Sequence, residues 1–124
     1  MSMITTESAL VFKNLFQGGE DYQAYPWQPF QKGVDIYRLY GDGTGAGAAL
    51  LRYQAGASVP YHHHTGFEHI LILEGTQSDR QTTYGVGSLV INHPDTEHSV
   101  FSEFGCVVLV IWQSPVVILS SIDI

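Results

Sequence analysis

One stretch, from Gly56 to Gly75, constrains the fold more than any other part of the chain: GASVPYHHHTGFEHILILEG. Residues two apart on a β-strand share a face, so His62 and His64 are predicted to point to the same side. The turn dipeptide Thr65-Gly66 then leads into an apolar strand that carries Glu68 at its start. Two imidazoles and a carboxylate suit a divalent transition metal, but a firmly held site needs one more ligand.

The candidate for the fourth ligand lies in a second segment, from Gly87 to Val100. A short strand over residues 88–92 is predicted to enter a turn at Pro94 and Asp95, because proline and aspartate are common turn formers. The chain then returns through His98. His98 is therefore the downstream residue that can complete the set.

The two segments resemble the paired motifs of the cupin family. The first motif, G-x5-H-x-H-x3-E-x6-G, is filled at every position, by Gly56, His62, His64, Glu68 and Gly75. The resemblance implies that the metal ion lies inside a barrel and that its ligands are His62, His64, Glu68 and His98.

The second motif, G-x5-P-x-G-x2-H, is matched less closely, by Gly87, Pro94 and His98. Six residues instead of five precede Pro94, three instead of four separate it from His98, and Asp95 stands where glycine is common. This spacing, followed by S-E-x-G-C over residues 102–106, resembles the cupin domain of ChrR-type anti-sigma factors and their stand-alone relatives. The resemblance extends roughly from residue 27 to residue 112.

The rest of the chain indicates an all-β fold. Short strand-like runs are separated by turn signals about every 8 to 12 residues, which is typical of a sandwich or a barrel. The resemblance narrows this to a double-stranded β-helix, that is, a jelly roll or cupin barrel. We predict an N-terminal arm over residues 1–26, with one short strand, and a single barrel domain over residues 27–124 with a C-terminal extension. The polar segment 76–84 is predicted to be an exposed hairpin between the motifs.

Composition and charge exclude several classes of partner. The 124 residues carry a net charge of −7 and five scattered basic residues, so we expect neither nucleic acid nor an anionic membrane as partner. The sequence contains neither a secretory signal nor a bilayer-spanning segment, and its single cysteine cannot form an intramolecular disulfide, so a cytoplasmic location is predicted. That cysteine, Cys106, is expected to be a buried structural thiol.

Two further expectations concern the ends of the chain. Residues 1–26 contain neither His nor Cys, which argues against a complete ChrR-type regulator with its zinc-bearing N-terminal domain. Residues 115–124 are more apolar than a free tail should be. We expect this tail, or the N-terminal arm, to pack on a second subunit in a homodimer.

Other polar residues receive weaker assignments. His63 and His69 fall on the strand face opposite to the ligands and are expected at the outer surface or an interface. Alternation leaves two positions open for Arg52: on the interior face it would bind a substrate carboxylate, and with Leu51 and Tyr53 as the better core pair it would point outward. Hydrogen-bond partners that orient the ligands are sought among five residues, Tyr53, Tyr61, Asn92, Asp95 and Glu97.

Two functions from different classes remain open. One is a small metal-dependent enzyme, dioxygenase-like, that acts on a diketone, thiol or similar small molecule held in the barrel. The alternative is a non-catalytic regulatory module that senses a small molecule or an oxidant, as the resemblance to the ChrR cupin domain implies. The ligand set accepts Zn, Fe, Mn, Ni or Cu, and the general affinity order does not choose among them.

Overall fold

The structure, a computed structural model, describes residues 2–5 and 8–119, with the backbone alone described for residues 2–5 and 19–21. These residues form thirteen β-strands, a 3-10 helix at Leu15–Gln17 and a short α-helix, α1, at Gly19–Ala24. The strands in chain order are β1 (Ser2–Thr5), β2 (Leu10–Lys13), β3 (Gln28–Gln31), β4 (Val34–Tyr40), β5 (Gly47–Tyr53), β6 (Ser58–His64), β7 (Glu68–Gly75), β8 (Gln77–Ser78), β9 (Thr83–Tyr84), β10 (Leu89–Asn92), β11 (Glu97–Phe101), β12 (Cys106–Trp112) and β13 (Val116–Ile118).

Two antiparallel sheets build the barrel. The first has six strands in the order β10-β7-β12-β5-β4-β3, and the second has five in the order β13-β6-β11-β8-β9. The chain crosses from the second sheet to the first between β6 and β7, at the predicted turn. The pair β1 and β2 forms a separate two-stranded sheet. This arrangement confirms the predicted all-β jelly roll.

The core between the sheets follows from strand alternation. Val34 and Ile36 of β4 are buried and share one cluster with Leu51 of β5 and with Val108 and Val110 of β12. Each such side chain stabilises the fold by about 1.5–3 kcal/mol relative to leaving it exposed. The interior face formed by β4, β5 and β12 is therefore largely apolar.

The N-terminal segment covers part of the outer face of the six-stranded sheet. Tyr22 of α1 packs with Leu50, Leu73 and Val107, which lie on the face opposite to the barrel interior. The Tyr22 hydroxyl donates a hydrogen bond to the carbonyl oxygen of Leu15. Because both faces of β5 and β12 are covered in this way, these strands are almost continuously buried and do not alternate in exposure.

The structure decides the direction of Arg52 and confirms the burial of Cys106. Arg52 points outward, where its Nη2 lies 3.0 Å from Asp35 Oδ2 and its guanidinium carbon lies 4.5 Å from the centre of the Trp27 ring. Cys106 is a buried free thiol, and burial raises its pKa to about 11.

The prediction of an exposed hairpin over residues 76–84 is wrong for its first strand. Gln77 and Ser78 form β8, are buried, and join the five-stranded sheet beside β11 and β9. Each of the two side chains has a hydrogen-bond partner inside the protein: Ser78 Oγ lies 2.7 Å from Thr83 Oγ1, and Gln77 Nε2 lies 3.2 Å from the Tyr53 hydroxyl oxygen. A polar sequence therefore does not require an exposed strand when its side chains find partners.

Within residues 2–5 and 8–119, no helix has the length and apolar composition needed to cross a membrane. Residues 1, 6 and 7 of the predicted arm and residues 120–124 of the predicted C-terminal extension lie outside the described part of the chain.

Candidate metal centre

The four predicted ligand residues lie together inside the barrel. His62 and His64 on β6 and His98 on β11 belong to the five-stranded sheet, whereas Glu68 begins β7 in the six-stranded sheet. Each residue offers one donor atom, and these atoms all lie within 4.8 Å of one another. His62, His64 and Glu68 are at most 5% exposed, and His98 is partly buried. Such a group can hold a metal ion between the two sheets.

Strand register explains why these side chains meet. In the five-stranded sheet, His98 pairs with His62 across the ladder between β11 and β6. In the six-stranded sheet, Glu68 pairs with Asn92 of β10 on one side and with Trp112 of β12 on the other. The turn that follows β6 carries the chain from one sheet to the other, so the imidazoles and the carboxylate face each other across the interior.

The three imidazole rings meet edge to face. Their centroids are 5.1 Å apart for His62 and His64, 4.7 Å for His62 and His98, and 4.6 Å for His64 and His98. The interplanar angles are 89°, 74° and 75°. Steeply tilted rings do not stack on one another, and each can direct one nitrogen to a common point.

Hydrogen bonds determine which nitrogen of His62 and of His64 carries the proton. His62 Nδ1 lies 2.8 Å from the carbonyl oxygen of Pro60, which only accepts, so Nδ1 is the donor and Nε2 keeps its lone pair. His64 Nδ1 lies 3.0 Å from Thr96 Oγ1, whose own hydrogen is donated to the carbonyl oxygen of His93. Thr96 Oγ1 therefore accepts from His64 Nδ1. Both rings present an Nε2 lone pair, as metal ligation requires.

The Glu68 carboxylate is held at both oxygens. Asn92 Nδ2 donates to Oε1 at 3.0 Å, and Trp112 Nε1 donates to Oε2 at 2.7 Å. Both donors are neutral, so they orient the carboxylate without cancelling its charge. A fixed carboxylate loses little orientational freedom when it binds an ion.

Two further observations favour a cation at the centre of the cluster. His64 Nε2 and Glu68 Oε1 are 3.1 Å apart, and with the proton on Nδ1 both atoms present lone pairs, which repel unless a proton or a metal ion lies between them. His98 Nε2 is buried and has no hydrogen-bond partner among the described residues. An unpartnered buried nitrogen costs about 1–3 kcal/mol, and a metal ion would satisfy it.

The electrostatics keep the cluster in its ligand-competent form. Burial lowers the pKa of His62, and burial together with the neighbouring His62 and His64 rings lowers the pKa of His98 to about 4. Burial alone would raise the pKa of Glu68, but the positive charge that the neighbouring imidazoles carry in their protonated form and the Trp112 hydrogen bond leave it below the ordinary value. At neutral pH, His62 and His98 are uncharged and the carboxyl is ionised, which are the forms that bind metals.

A small cavity of about 20 Å³ borders the cluster. Its lining residues are mostly apolar and come from both sheets: Phe30, Leu51, Tyr53, Val59, His62, Glu68, Ile70, Gln77, His98, Val100, Val110, Trp112 and Val116. A cavity must offer roughly 10–15 Å³ to hold one water molecule. The space beside the cluster therefore suits a ligand of about the size of water or a diatomic molecule.

Comparison with known proteins identifies the family. The sequence-family model of the ChrR cupin-like domain matches residues 19–115 of the chain. The chain belongs to the family of ChrR cupin-like domains. It is 35% identical over 75 residues to the anti-sigma-E factor ChrR of Cereibacter sphaeroides, over 59% of this chain and 35% of that protein.

Solved structures extend the comparison. The crystal structure of Rhodobacter sphaeroides SigE in complex with the anti-sigma ChrR matches with 30% identity and a TM-score of 0.67, over 77% of this chain and 53% of the matched one. This ChrR cupin-like domain thus spans about a third of the curated relative and about half of the solved one. An acetylacetone dioxygenase from Acinetobacter johnsonii is 16% identical with a TM-score of 0.70, over 98% of this chain and 83% of that one, which shows a shared fold.

The departure from the usual second cupin motif has a structural explanation in this ChrR cupin-like domain. Asp95 stands where glycine is common, and its φ is 64°, in the left-handed region. Aspartate tolerates that region better than most residues, so glycine is not required. The backbone N–H of Asp95 donates to the carbonyl oxygen of His64 at 2.8 Å, and this turn therefore ties the end of β6 to the start of β11.

Sequence reasoning found some of the surrounding residues and missed others. Of the five candidates, Asn92 contacts a cluster residue directly, whereas Asp95 and Glu97 contact the outward-facing His63, at 3.5 and 3.0 Å. The missed partners of the cluster are Pro60, Thr96 and Trp112. The i−2 position of Pro60 relative to His62 is the only one of these relations visible along the sequence, since the others depend on which strands pair.

Proposed function

We propose that this chain is a metal-binding cupin domain that holds one divalent transition metal ion at His62, His64, Glu68 and His98. The observation that carries the proposal is the convergence of four donor atoms within 4.8 Å, with the His62 and His64 tautomers set by hydrogen bonds. Three imidazoles and a carboxylate suit Zn, Fe, Mn or Ni. When bound, the ion would supply an electrophilic centre next to the cavity, held by side chains of both sheets.

Metal content tests this proposal. The protein, purified without chelator or affinity nickel, is expected to carry close to one ion per chain by elemental analysis, directly or after reconstitution of the chelated protein. His62→Ala and Glu68→Ala are expected to lose stoichiometric metal, because each removes a donor and leaves the others underpartnered. His63→Ala is the matched control, because its side chain lies on the outer face of the same strand against Glu97. Full metal retention in His62→Ala and Glu68→Ala would refute the ligand assignment.

For the role of the ion, we propose regulation through a small molecule or an oxidant. Membership of the ChrR cupin-like family supports this role, and the ChrR relative is an anti-sigma factor whose structure was solved with SigE. The cavity supports it too, because about 20 Å³ beside the cluster leaves no room for an organic substrate. A sigma factor is accordingly the class of protein partner that we propose.

A dioxygenase-like enzyme is the second candidate, and one observation favours it. A pocket of about 80 Å³ shares three of its lining residues, Phe30, Trp112 and Val116, with the cavity. Movement of Phe30 and Val116 would join the two spaces and admit a small, mostly apolar molecule. Oxygen uptake by the Fe(II)-loaded protein with small diketones and thiols separates the candidates. Oxygen uptake that depends on both iron and substrate, and that increases in Phe30→Ala, supports the enzyme. Absence of uptake in both the unsubstituted protein and Phe30→Ala supports regulation.

The cellular setting is also proposed. We propose a cytoplasmic homodimer with a small-molecule ligand. The buried, unpaired Cys106 is consistent with a reducing compartment. The exposed apolar residues of β13, Val117 and Ile118, support self-association.

A further inference from the structure

Two polar side chains outside the cluster face the same cavity. Tyr53 from β5 and Gln77 from β8 line it together with His62, Glu68 and His98. Tyr53 is 4% exposed and Gln77 is 2% exposed. Apart from Trp112, whose indole N–H is donated to Glu68, the other lining residues outside the cluster are apolar. The buried polar pair therefore requires an explanation.

The Tyr53–Gln77 pair contains a hydrogen-bond donor that has no acceptor. Gln77 Nε2 lies 3.2 Å from the Tyr53 hydroxyl oxygen, and the described residues offer neither side chain another hydrogen bond. If Gln77 donates, the Tyr53 hydroxyl hydrogen has no acceptor; if the amide is turned round, Tyr53 donates and both hydrogens of the Gln77 amide are left. Either orientation leaves a buried donor that needs an acceptor.

The cavity is the place where that acceptor can sit. Its volume of about 20 Å³ admits a molecule of about the size of water or a diatomic. A ligand there would be bordered by residues of the cluster and by the polar pair. Burial raises the pKa of Tyr53 well above its ordinary value, so the hydroxyl keeps its hydrogen at neutral pH and acts as a donor.

We infer that Tyr53 and Gln77 form a hydrogen-bonding site for a small acceptor ligand, of the size of water or a diatomic molecule, that shares the cavity with the metal ion. The inference rests on the proposed metal function and narrows it. The occupant of the interior must be able to accept a hydrogen bond and must be small, so a molecule of diketone size would have to remain outside. Tyr53 and Gln77 are positioning residues, and they contribute nothing to holding the ion itself.

Nitric oxide is a suitable probe, because it is diatomic and can be followed on Fe(II) by paramagnetic resonance. The chelated protein is reconstituted anaerobically with Fe(II), iron is counted, and nitric oxide is titrated. Tyr53→Phe and Gln77→Leu are expected to keep the iron stoichiometry of the unsubstituted protein but to bind nitric oxide about three- to tenfold more weakly, the usual effect of one lost hydrogen bond. The double variant should lose little more than either single one, because the pair acts as a unit.

Tyr22→Phe is the matched control. It removes another buried tyrosine hydroxyl, but on the opposite face of the six-stranded sheet, so nitric oxide affinity should not change. Unchanged affinity and an unchanged resonance spectrum in both cavity variants would overturn the inference. If iron does not bind to the unsubstituted protein either, the proposed metal function is refuted. That outcome is distinct from failure of the inference about Tyr53 and Gln77, in which iron binds but nitric oxide affinity does not change.

A measurement on the unsubstituted protein covers the case in which the cavity variants do not fold. In D2O, an exchangeable deuteron should couple to the iron-bound nitric oxide in pulsed resonance spectra, because the Tyr53–Gln77 pair donates to it. Absence of such a coupling would also overturn the inference.

Discussion

At the scale of single residues, the candidate metal centre depends on side chains that orient its ligands. Glu68 receives hydrogen bonds from Asn92 and Trp112, and His64 is oriented by Thr96. These partners keep the donor atoms of Glu68 and His64 directed at the centre before any ion arrives. Removing one of them should therefore weaken metal binding while all four ligands remain in place.

Trp112→Phe tests this. The substitution keeps an aromatic ring but removes the N–H that donates to Glu68 Oε2, so metal affinity is expected to fall about 10- to 100-fold. Competition with a chromophoric chelator measures the affinity. Trp27→Phe is the control, since the Trp27 indole N–H donates to the carbonyl oxygen of Tyr22, outside the barrel interior. Equal affinities of Trp112→Phe and the unsubstituted protein would contradict the role given to Trp112.

At the scale of strands and turns, the first cupin motif begins and ends with glycines, and different structural constraints require glycine at the two positions. Gly56 and Gly75 both have positive φ, 82° and 72°. A Cβ at Gly56 would meet nothing within 4 Å, whereas a Cβ at Gly75 would lie 2.1 Å from the carbonyl oxygen of Gly105. Gly75 ends β7 opposite Cys106, so β7 and β12 can pair there only without a side chain.

The two alanine variants should therefore differ in stability. Gly56→Ala is expected to lower the free energy of unfolding by about 1 kcal/mol, the cost of a left-handed non-glycine residue. Gly75→Ala should lower the free energy of unfolding by more, at least about 3 kcal/mol, because a collision with the backbone adds to the same conformational cost. Urea denaturation of both variants measures the difference. Similar losses would show that the close approach of β7 to Gly105 is not a constraint.

At the scale of the whole molecule, the buried imidazoles couple folding to pH. In the unfolded chain, an imidazole titrates near pH 6.5. In the folded protein, burial and the neighbouring rings lower the pKa of His98 to about 4, and burial lowers that of His62. Between these values the unfolded chain binds the protons and the folded chain does not, so acid favours unfolding.

The metal-free protein should consequently lose stability as the pH falls from about 6.5 to 4. His98 alone should account for about 1–2 kcal/mol between pH 7 and pH 5. Below the ordinary carboxyl pKa, Glu68 adds to the loss, because its folded pKa is also lowered. Urea midpoints of the chelated protein across this range measure the effect, and His98→Gln should give a shallower slope. A midpoint independent of pH between 7 and 5 would contradict the burial of neutral imidazoles.

The exposed edge of the five-stranded sheet bears on assembly. β13 is the terminal strand of that sheet, and Val117, Ile118 and Leu119 are 47%, 39% and 48% exposed. An apolar strand at a sheet edge is a template for pairing with a second chain. This supports the homodimer predicted from the apolar C-terminal sequence.

Light scattering at micromolar concentration should therefore give the mass of a dimer. Val117→Asp should shift the protein toward the monomer, because it places a charge in the proposed contact. Val86→Asp is the control, since Val86 is 58% exposed in the connection before β10, at the other side of the barrel. A monomeric unsubstituted protein would refute the dimer.

The sequence by itself determined the fold class and the set of residues that converge. Alternation specifies which strand face is buried, and the spacing of His62, His64 and Glu68 places two imidazoles on one strand face with a carboxylate after a tight turn. Both are local properties of the chain, and the backbone period alone suffices to infer them. His98 required a second, more divergent motif, and the family resemblance supplied the link.

Only the tertiary structure decided what surrounds that set. Glu68 is contacted by Trp112, which is 44 residues away in the sequence, and by Asn92, which is 24 residues away. Both meet the carboxylate because β12 and β10 pair with β7 in a register that places them opposite Glu68. Gln77 faces the cavity because β8 joins the five-stranded sheet beside β11, although its sequence reads as an exposed hairpin. Strand pairing between distant segments depends on the packing of the whole barrel, and no local period encodes it.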